Sequence, residues 1–389
     1  MQKLAIITTH PVQYNAPLFK LLHQRKQIEI KVFYTWSQTE AGLKYDPGFG
    51  KHISWDVPLL NGYPYLFSYN SALNPGSHHK KGIKNPNLIT EINTWGANAI
   101  LVYGWNFEGH QSVINFFYKK LPLFFRGDST LLGEQFGMKK IIRRIYLKFI
   151  YSKFSVALYA GEANKAYFLA HGFKKGQLVF MPHAIENERF YVNPQMEIEV
   201  AKFKSNLGIK AEATVFLFVG KLDKNKNIEL LIETFLKLNN VAHLIIAGSG
   251  KLEHTLVSQN SNQKNIHFIG FVNQQTMPAI YNSCHVFILP SKSETWGLAI
   301  NEAMAAGKAI IASNTCGAAY DLVKHNKNGF VIDLNIENSL YSAMYYFLNN
   351  KNAAAEMGLE SLKLIQPYSY VNDSVALENA LIGKLEFSY

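Results

Sequence analysis

The chain's strongest constraint is an alternation. Short, almost wholly apolar runs are each followed by a longer segment with helical spacing, and this repeats from the first residues to about position 350. "KLAIITT", "IEIKVFYTW", "NAILVYG", "LPLFFRG", "SVALYAG" and "LVFMPHAI" read as buried strands. "APLFKLLHQR" and residues 137–153 read as helices between them. Strands apolar on both faces, separated by helices, belong to parallel sheets covered on both sides.

The pattern restarts after about residue 190 with "TVFLFVG", the helical "NIELLIETFLKL", then "AHLIIAGSG", "NIHFIGFV", "HVFILPS", "KAIIAS" and "GFVID". A length of 389 residues also exceeds what one compact core normally holds. The expected architecture is α/β, with two Rossmann-like, doubly wound domains facing across a cleft. The first spans 1–190, the second spans 191–366, and 367–389 is a helix returning to the first domain. "YVNPQMEIEVAKFKSNLGIKAEA" has weak periodicity and reads as the junction. Ligands of such sheets bind at the strands' carboxyl ends, near the reversal of strand order.

A formal charge of +11 and a pI near 9.3 favour phosphate-bearing partners. No nucleic-acid-reading motif accompanies that charge, so no nucleic-acid partner is expected. Two cysteines, Cys284 and Cys316, point to a reducing compartment and no disulfide framework. The opening "MQKLAIITTH" is too short for a secretory signal and no apolar run reaches membrane-spanning length. The expected location is cytoplasmic, with peripheral contact at the inner membrane face as an option. That option rests on residues 138–154, where Lys139, Lys140, Arg143, Arg144 and Lys148 mix with Ile142, Ile145, Tyr146 and Phe149. A basic amphipathic helix of this kind suits an anionic membrane, or packs on the sheet with a solvated basic face.

The chemistry concentrates in the second half. "PSKSETWGLAINEAMAAG" reads as strand end, turn and helix, with Gly297 at the turn. Unpaired amides at a helix start suit an anion. Glu302, about a turn further in, can accept two hydrogen bonds from a vicinal diol such as a ribose. Glu294, before the helix, can bind hydroxyls of a second sugar. The competing reading is a solvated loop charge and a dipole-stabilised helix residue. In "FVGKLDKNKNIELL", Lys221 and Lys226 bracket a strand-to-helix loop and can clamp a diphosphate, or are ordinary surface lysines.

Together these segments resemble the donor domain of family 4 glycosyltransferases of GT-B fold. The pieces occur in that family's order: Gly220, Lys221 and Lys226, then "IAGSG", "IHFIGFV", "SETWGLAINEAMAAGKAIIAS" and "NGFVID". The resemblance implies that Glu302 holds the ribose, Glu294 the transferred sugar, and Lys221 and Lys226 the diphosphate. It places the amides of Thr295, Trp296, Gly297 and Leu298 at the sugar and phosphates, and Gly270 and Phe271 near the base. Two departures stand out. Lys221 replaces the family's usual arginine, giving a point charge for a bidentate grip. Asn227 replaces its usual glycine after the second lysine.

In the first half, "THPVQYNAPLF" stands where relatives carry a glycine-rich loop, and offers His10, Gln13 and Tyr14. With "YDPGFG", "YGWN" and "RGDS", this opening resembles a bacterial "HPVQY" subgroup. His10 positions the acceptor or diphosphate, or simply caps and packs. Trp105 and Asn106 follow "ILVYG" at another strand end, where the tryptophan can stack on a sugar ring or fill a wall between domains. Arg126 and Asp128 stand where many relatives place a donor-facing histidine. They pair with each other or take over that histidine's contacts.

The implied activity is retaining hexosyl transfer from a nucleotide-diphosphate sugar, with UDP the commonest base among relatives, to a saccharide or lipid-linked saccharide acceptor. Bacterial surface polysaccharide or glycolipid synthesis is the implied setting. The sequence shows no carboxylate pair for double displacement. The family's account is front-side substitution, in which the leaving diphosphate takes the acceptor proton. No metal and no other cofactor is expected, since no DxD-like cluster occurs. The alternative from another class is a GT-B protein that binds a sugar nucleotide without transferring it. A dinucleotide oxidoreductase lacks its G-x-G-x-x-G after either first strand.

Overall fold

The computed structural model describes the whole chain except residues 37–43, 47–48, 135–136, 239–241, 351 and 383–389. The chain divides into two compact units. One comprises Met1–Lys44, Val57–Ala184 and Tyr370–Tyr389, the other Tyr45–Asp56 and Ile185–Ser369. The first long stretch thus ends at Ala184 where the sequence suggested 190, and a short segment of the first half belongs to the second unit.

In the first unit, strands β1 (Lys3–Thr8), β2 (Glu29–Tyr34), β5 (Tyr65–Phe67), β6 (Ala99–Tyr103), β7 (Leu123–Arg126), β8 (Val156–Tyr159) and β9 (Leu178–Phe180) form one sheet. Its order is β5-β2-β1-β6-β7-β8-β9, and its neighbouring strands run parallel. β3 (Lys44–Asp46) and β4 (Lys51–Ile53) make a separate two-stranded sheet. The apolar run of β1 explains its central position. Leu4 and Ile6 enter one core with Leu18, Leu22, Leu377 and Leu381. Ala5 and Ile7 enter the opposite core with Leu88, Ile92, Ile114 and Phe117. Strand periodicity splits one hydrophobic run between two covered faces.

The helix Tyr370–Ile382 completes the first of these cores. Arg25, at the end of the helix Ala16–Arg25, grips Glu378 through two hydrogen bonds of 2.8 Å. The geometry is bidentate and one partner is buried, so it fixes the last helix against the first.

In the second unit, β10 (Thr214–Val219), β11 (Ala242–Ala247), β12 (Ile266–Gly270), β13 (Val286–Leu289), β14 (Ala309–Ser313) and β15 (Gly329–Ile332) form a parallel sheet of order β12-β11-β10-β13-β14-β15. This is the doubly wound order, and it reverses between β10 and β13. The expected junction is instead ordered. Asn193 caps the helix Pro194–Asn206 by accepting from the Met196 amide at 2.9 Å, with a proline in the first turn.

Candidate functional site

The order reversal of the second sheet is flanked by the loop after β10, Gly220–Asn227, and the loop after β13, residues 290–297. Asp223 shapes the first loop, its Oδ1 accepting from the amides of Asn225 (2.9 Å) and Lys226 (3.0 Å). Asn225 then stitches the loops together. Its side chain donates to the Ser293 carbonyl at 2.6 Å, and its own carbonyl takes the Lys292 amide at 2.8 Å. Across this seam the Lys226 ammonium forms an ion pair with the Glu294 carboxylate. The departure at Asn227 has a conformational reading. Its φ of 57° lies in the left-handed region that glycine favours and asparagine tolerates, so the helix Ile228–Leu236 still starts there.

Glu294 is held by its backbone as well. Its amide donates to Thr315 at 3.1 Å and its carbonyl accepts from Gly317 at 3.0 Å. Beyond it the chain turns through Gly297, whose φ is 104°, into the helix Leu298–Ala305. Gly297's carbonyl accepts the Ile300 amide at 2.8 Å. Glu302, only 3% exposed, lies further along that helix and accepts from the Tyr281 hydroxyl at 2.7 Å. Trp296 is fixed by its ring, which is buried and donates from Nε1 to Asn301 at 2.9 Å. Its carbonyl takes the Ala318 amide at 2.8 Å. A second buried contact lies behind Thr295, since a Cβ on Gly317 would sit 2.0 Å from the Thr295 oxygen.

The glycines mark the other side. Gly220 donates to Ala247 at 3.0 Å and Gly248 donates to Gly270 at 2.7 Å, joining the ends of β10, β11 and β12 in a row. Phe271 follows directly and meets Phe49 edge-on at 5.3 Å. Lys221 places its ammonium 4.8 Å from the centre of the Phe49 ring. The segment Tyr45–Asp56 is tied to this unit also by Asn273 donating to Ser54 (2.7 Å) and the Gln275 amide donating to Asp56 (3.1 Å). Within "YDPGFG", Pro47 and Gly48 lie outside the described residues. Sequence reading missed Phe49, Tyr281, Asn225 and Asp223. The Asp-x-x-Lys and Asn-capable turn chemistry was legible for the last two, whereas nothing local predicts Phe49 beside Lys221.

The first unit's sheet has its own reversal, between β1 and β6. His10, Gln13 and Tyr14 follow β1, while Trp105 and Asn106 follow β6. His10 Nδ1 and Thr9 Oγ1 share a hydrogen bond of 2.9 Å, and its ring lies edge-on to Trp36 at 5.5 Å. Gln13 is half-buried in the same turn, and Tyr14's carbonyl accepts from Tyr370 at 3.0 Å. Trp105 meets the ring of Tyr146 at 5.7 Å, and Asn106 is exposed.

Arg126 makes contacts to which the sequence did not point. It is buried, and its guanidinium donates to the carbonyls of Leu158 (3.3 Å), Met181 and Pro182 (3.0 Å), and reaches His183 Nδ1 at 3.5 Å. It therefore ties the end of β7 to β8 and to the segment that follows β9, while Asp128 is exposed nearby. Two buried groups accompany it. Burial lifts the Asp373 carboxyl to about 8, although Arg126 pulls it back. Burial, with Arg126 beside it, holds His183 well below its ordinary range. His110, buried beneath the loop after β6, is lowered to about 4 by burial, and its ring nitrogens meet Gly104 O (2.7 Å) and Thr35 Oγ1 (2.9 Å). None of these was singled out from sequence, because isolated polar residues carry no periodic signal.

Residues 199–363 match the family model "Glycosyl transferases group 1". An uncharacterised glycosyltransferase of Methanocaldococcus jannaschii is 35% identical over 145 residues, covering 36% of this chain and 37% of that protein. The alpha-monoglucosyldiacylglycerol synthase of Acholeplasma laidlawii is 29% identical over 173 residues, 42% of each. The chain thus spans well under half the length of these relatives. Among solved structures, Anabaena HepE in complex with UDP and glucose superposes with a TM-score of 0.72, at 17% identity, over 98% of this chain and 100% of that one. The chain has the GT-B type of fold, two Rossmann-like parallel-sheet domains, and most of its second unit is similar to the group 1 glycosyltransferase model.

Proposed function

We propose that this protein transfers a sugar from a nucleotide-diphosphate sugar, a UDP-sugar by preference, to a hydroxyl of a saccharide or lipid-linked saccharide, with retention of configuration. The observation that carries this reading is the Lys226–Glu294 ion pair at the order reversal of the sheet that matches the group 1 domain. The relatives add support: one is named a glucosyldiacylglycerol synthase, and the superposed HepE was solved with UDP and glucose.

On this reading the diphosphate lies against Gly220, Lys221 and the start of the helix Leu298–Ala305, and Lys226 divides its charge between Glu294 and the phosphates. Glu302 receives the ribose hydroxyls, and Glu294 those of the transferred sugar. The bond from the anomeric carbon to the diphosphate oxygen breaks as the acceptor oxygen forms its bond on the same face. The acceptor's proton passes to the departing diphosphate. Two ammonium groups stabilise the charge that develops there, which is where a preorganised site gains most. Lys221 supplies a point charge in place of a bidentate fork.

The test is nucleotide release from a panel of UDP-, GDP- and ADP-sugars with simple glycoside acceptors. The reading expects one donor to be turned over and Glu294→Gln to abolish that turnover. Binding of a donor with no turnover for any acceptor or water would favour a sugar-nucleotide-binding protein without transfer.

A further inference from the structure

The segment Tyr45–Asp56 comes from the first half of the chain and yet packs as part of the second unit. It forms a strap whose two ends are fixed separately. At one end Asn273 donates to the Ser54 carbonyl at 2.7 Å, and the Gln275 amide donates to the Asp56 carboxylate at 3.1 Å. The Gln275 side chain adds a bond of 2.5 Å to the Asp56 carbonyl. At the other end the fully buried Ser249 donates from Oγ to the Phe49 carbonyl at 3.4 Å. Between these ends Phe271 meets two rings of the strap, Phe49 at 5.3 Å and Trp55 at 6.2 Å.

The Phe49 ring is thereby delivered to Lys221, whose ammonium lies 4.8 Å from the ring centre. Ser249 also ties the two partners into one frame. Its Oγ holds the strap, and its carbonyl accepts the amide of Leu222, the residue after Lys221, at 3.0 Å. The chemistry of the pair is specific. A lysine ammonium sits on a flexible four-carbon stem, so keeping it in one place costs side-chain entropy. An aromatic face at this distance attracts the cation and offsets that cost, and a neutral ring does so without neutralising the charge. Lys226, on the same loop, is held differently, by the carboxylate of Glu294.

We propose that Phe49 is a positioning residue of the donor site: its ring holds the Lys221 ammonium where a nucleotide's diphosphate arrives. The proposal rests on the reading of this sheet end as a nucleotide-diphosphate site. It makes the strap from the first half of the chain a working part of that site, with Phe49 acting through Lys221 and not on the nucleoside.

The experiment is calorimetric titration of the full chain with UDP, GDP and ADP, then with the nucleoside that matches the tightest of them. Phe49→Leu is expected to weaken binding of that diphosphate about three- to tenfold, the scale of one cation–ring contact. The nucleoside, which carries no phosphate, should bind wild type and Phe49→Leu alike. Phe49→Tyr keeps a ring and should restore most of the diphosphate affinity. In a Lys221→Ala background Phe49→Leu should change nothing further, because the cation on which it acts is gone. Phe49→Met, also without a ring, carries the same test should the leucine variant misfold. Equal diphosphate affinity in wild type and Phe49→Leu overturns the proposal. So does a tyrosine variant as weak as the leucine variant, or full additivity in the Lys221→Ala background. A nucleoside affinity that falls by the same factor overturns it too, since the ring would then be a wall for the base. In each of these outcomes wild type still binds a nucleoside diphosphate, and the donor-site reading stands. Wild type that binds none of the three diphosphates contradicts that reading and overturns the proposal with it.

Discussion

Lys226 and Glu294 stand on different loops of the second sheet, and they meet as an ion pair because Asn225 and Ser293 beside them are hydrogen-bonded at 2.6 Å. Each charge is only partly exposed, so neither is fully solvated by water alone. Removing one member costs both the partner's compensation and the arrangement of the loop. Lys226→Ala should lower turnover by roughly 100- to 1,000-fold, the scale for losing one preorganised charge-stabilising donor. Glu294→Gln should abolish transfer while nucleotide affinity largely survives. Steady-state nucleotide release and calorimetric titration measure the two effects separately.

The Tyr281 hydroxyl donates a hydrogen bond of 2.7 Å to the buried Glu302. Losing the donor to a buried carboxyl group leaves an acceptor unsatisfied away from water. Tyr281→Phe should cost about 1.5–3 kcal/mol of stability. Urea denaturation reads that loss. Titration with UDP should show weakened binding too, because the carboxylate assigned to the ribose is no longer held in place. A variant with wild-type stability and wild-type affinity would remove Tyr281 from the account.

Gly248 and Gly270 offer a contrast within one row of strand ends. A Cβ at Gly248 would lie 1.9 Å from the Gly220 oxygen, at a φ of 143°. A Cβ at Gly270 would meet nothing within 4 Å, at a φ of 70°. Gly270→Ala should therefore cost about 1–2 kcal/mol, from conformation alone. Gly248→Ala adds a backbone overlap that no rotamer relieves, so it should cost clearly more and displace the loop that carries Lys221. Thermal melting of the two variants checks the ranking.

Asp373 and His110 contribute opposite slopes to the pH dependence of stability, and burial lowers His183, His267 and His285 in the same direction as His110. Asp373 is raised from 3.8 to about 8 by burial, so the unfolded chain releases its proton first. Its contribution is fully present below pH 3.8 and declines until pH reaches about 8. His110 is lowered from 6.5 to about 4, so the unfolded chain takes up a proton first as pH falls below 6.5. Its contribution is present above 6.5 and lost towards 4. Of these two groups' slopes, which oppose each other below pH 6.5, the Asp373 decline alone continues between 6.5 and 8. Asp373→Asn should flatten that upper limb and raise the melting temperature at pH 8. An unchanged limb would show that the carboxyl is ionised throughout.

Much of the fold was legible because buried parallel strands announce themselves. "TVFLFVG" contains β10 and "NAILVYG" contains β6, each a continuous apolar run with both faces covered. "APLFKLLHQR" is the first helix residue for residue. The readings weakened where long-range contact overrides local pattern. "LVFMPHAI" yields only Leu178–Phe180 as strand, since Pro182 ends the ladder and the following carbonyls turn to Arg126. The helix Pro194–Asn206 hides behind weak amphipathicity, with no buried residue, although its asparagine cap and early proline were available signals. Lys226, Glu294 and Glu302 were legible as residue types at strand ends. The Phe49 contact to Lys221 was not, because it joins segments far apart in sequence that only folding brings together.

Titration of UDP into wild type, Lys226→Ala and Glu302→Gln tests the central assignment most directly. The second sheet's order reversal is held to be a nucleotide-diphosphate site, so one UDP should bind wild type, and each variant should bind at least about tenfold more weakly, the size of one lost charged hydrogen bond. Equal affinity in all three proteins, or binding that persists when both residues are replaced, would contradict it.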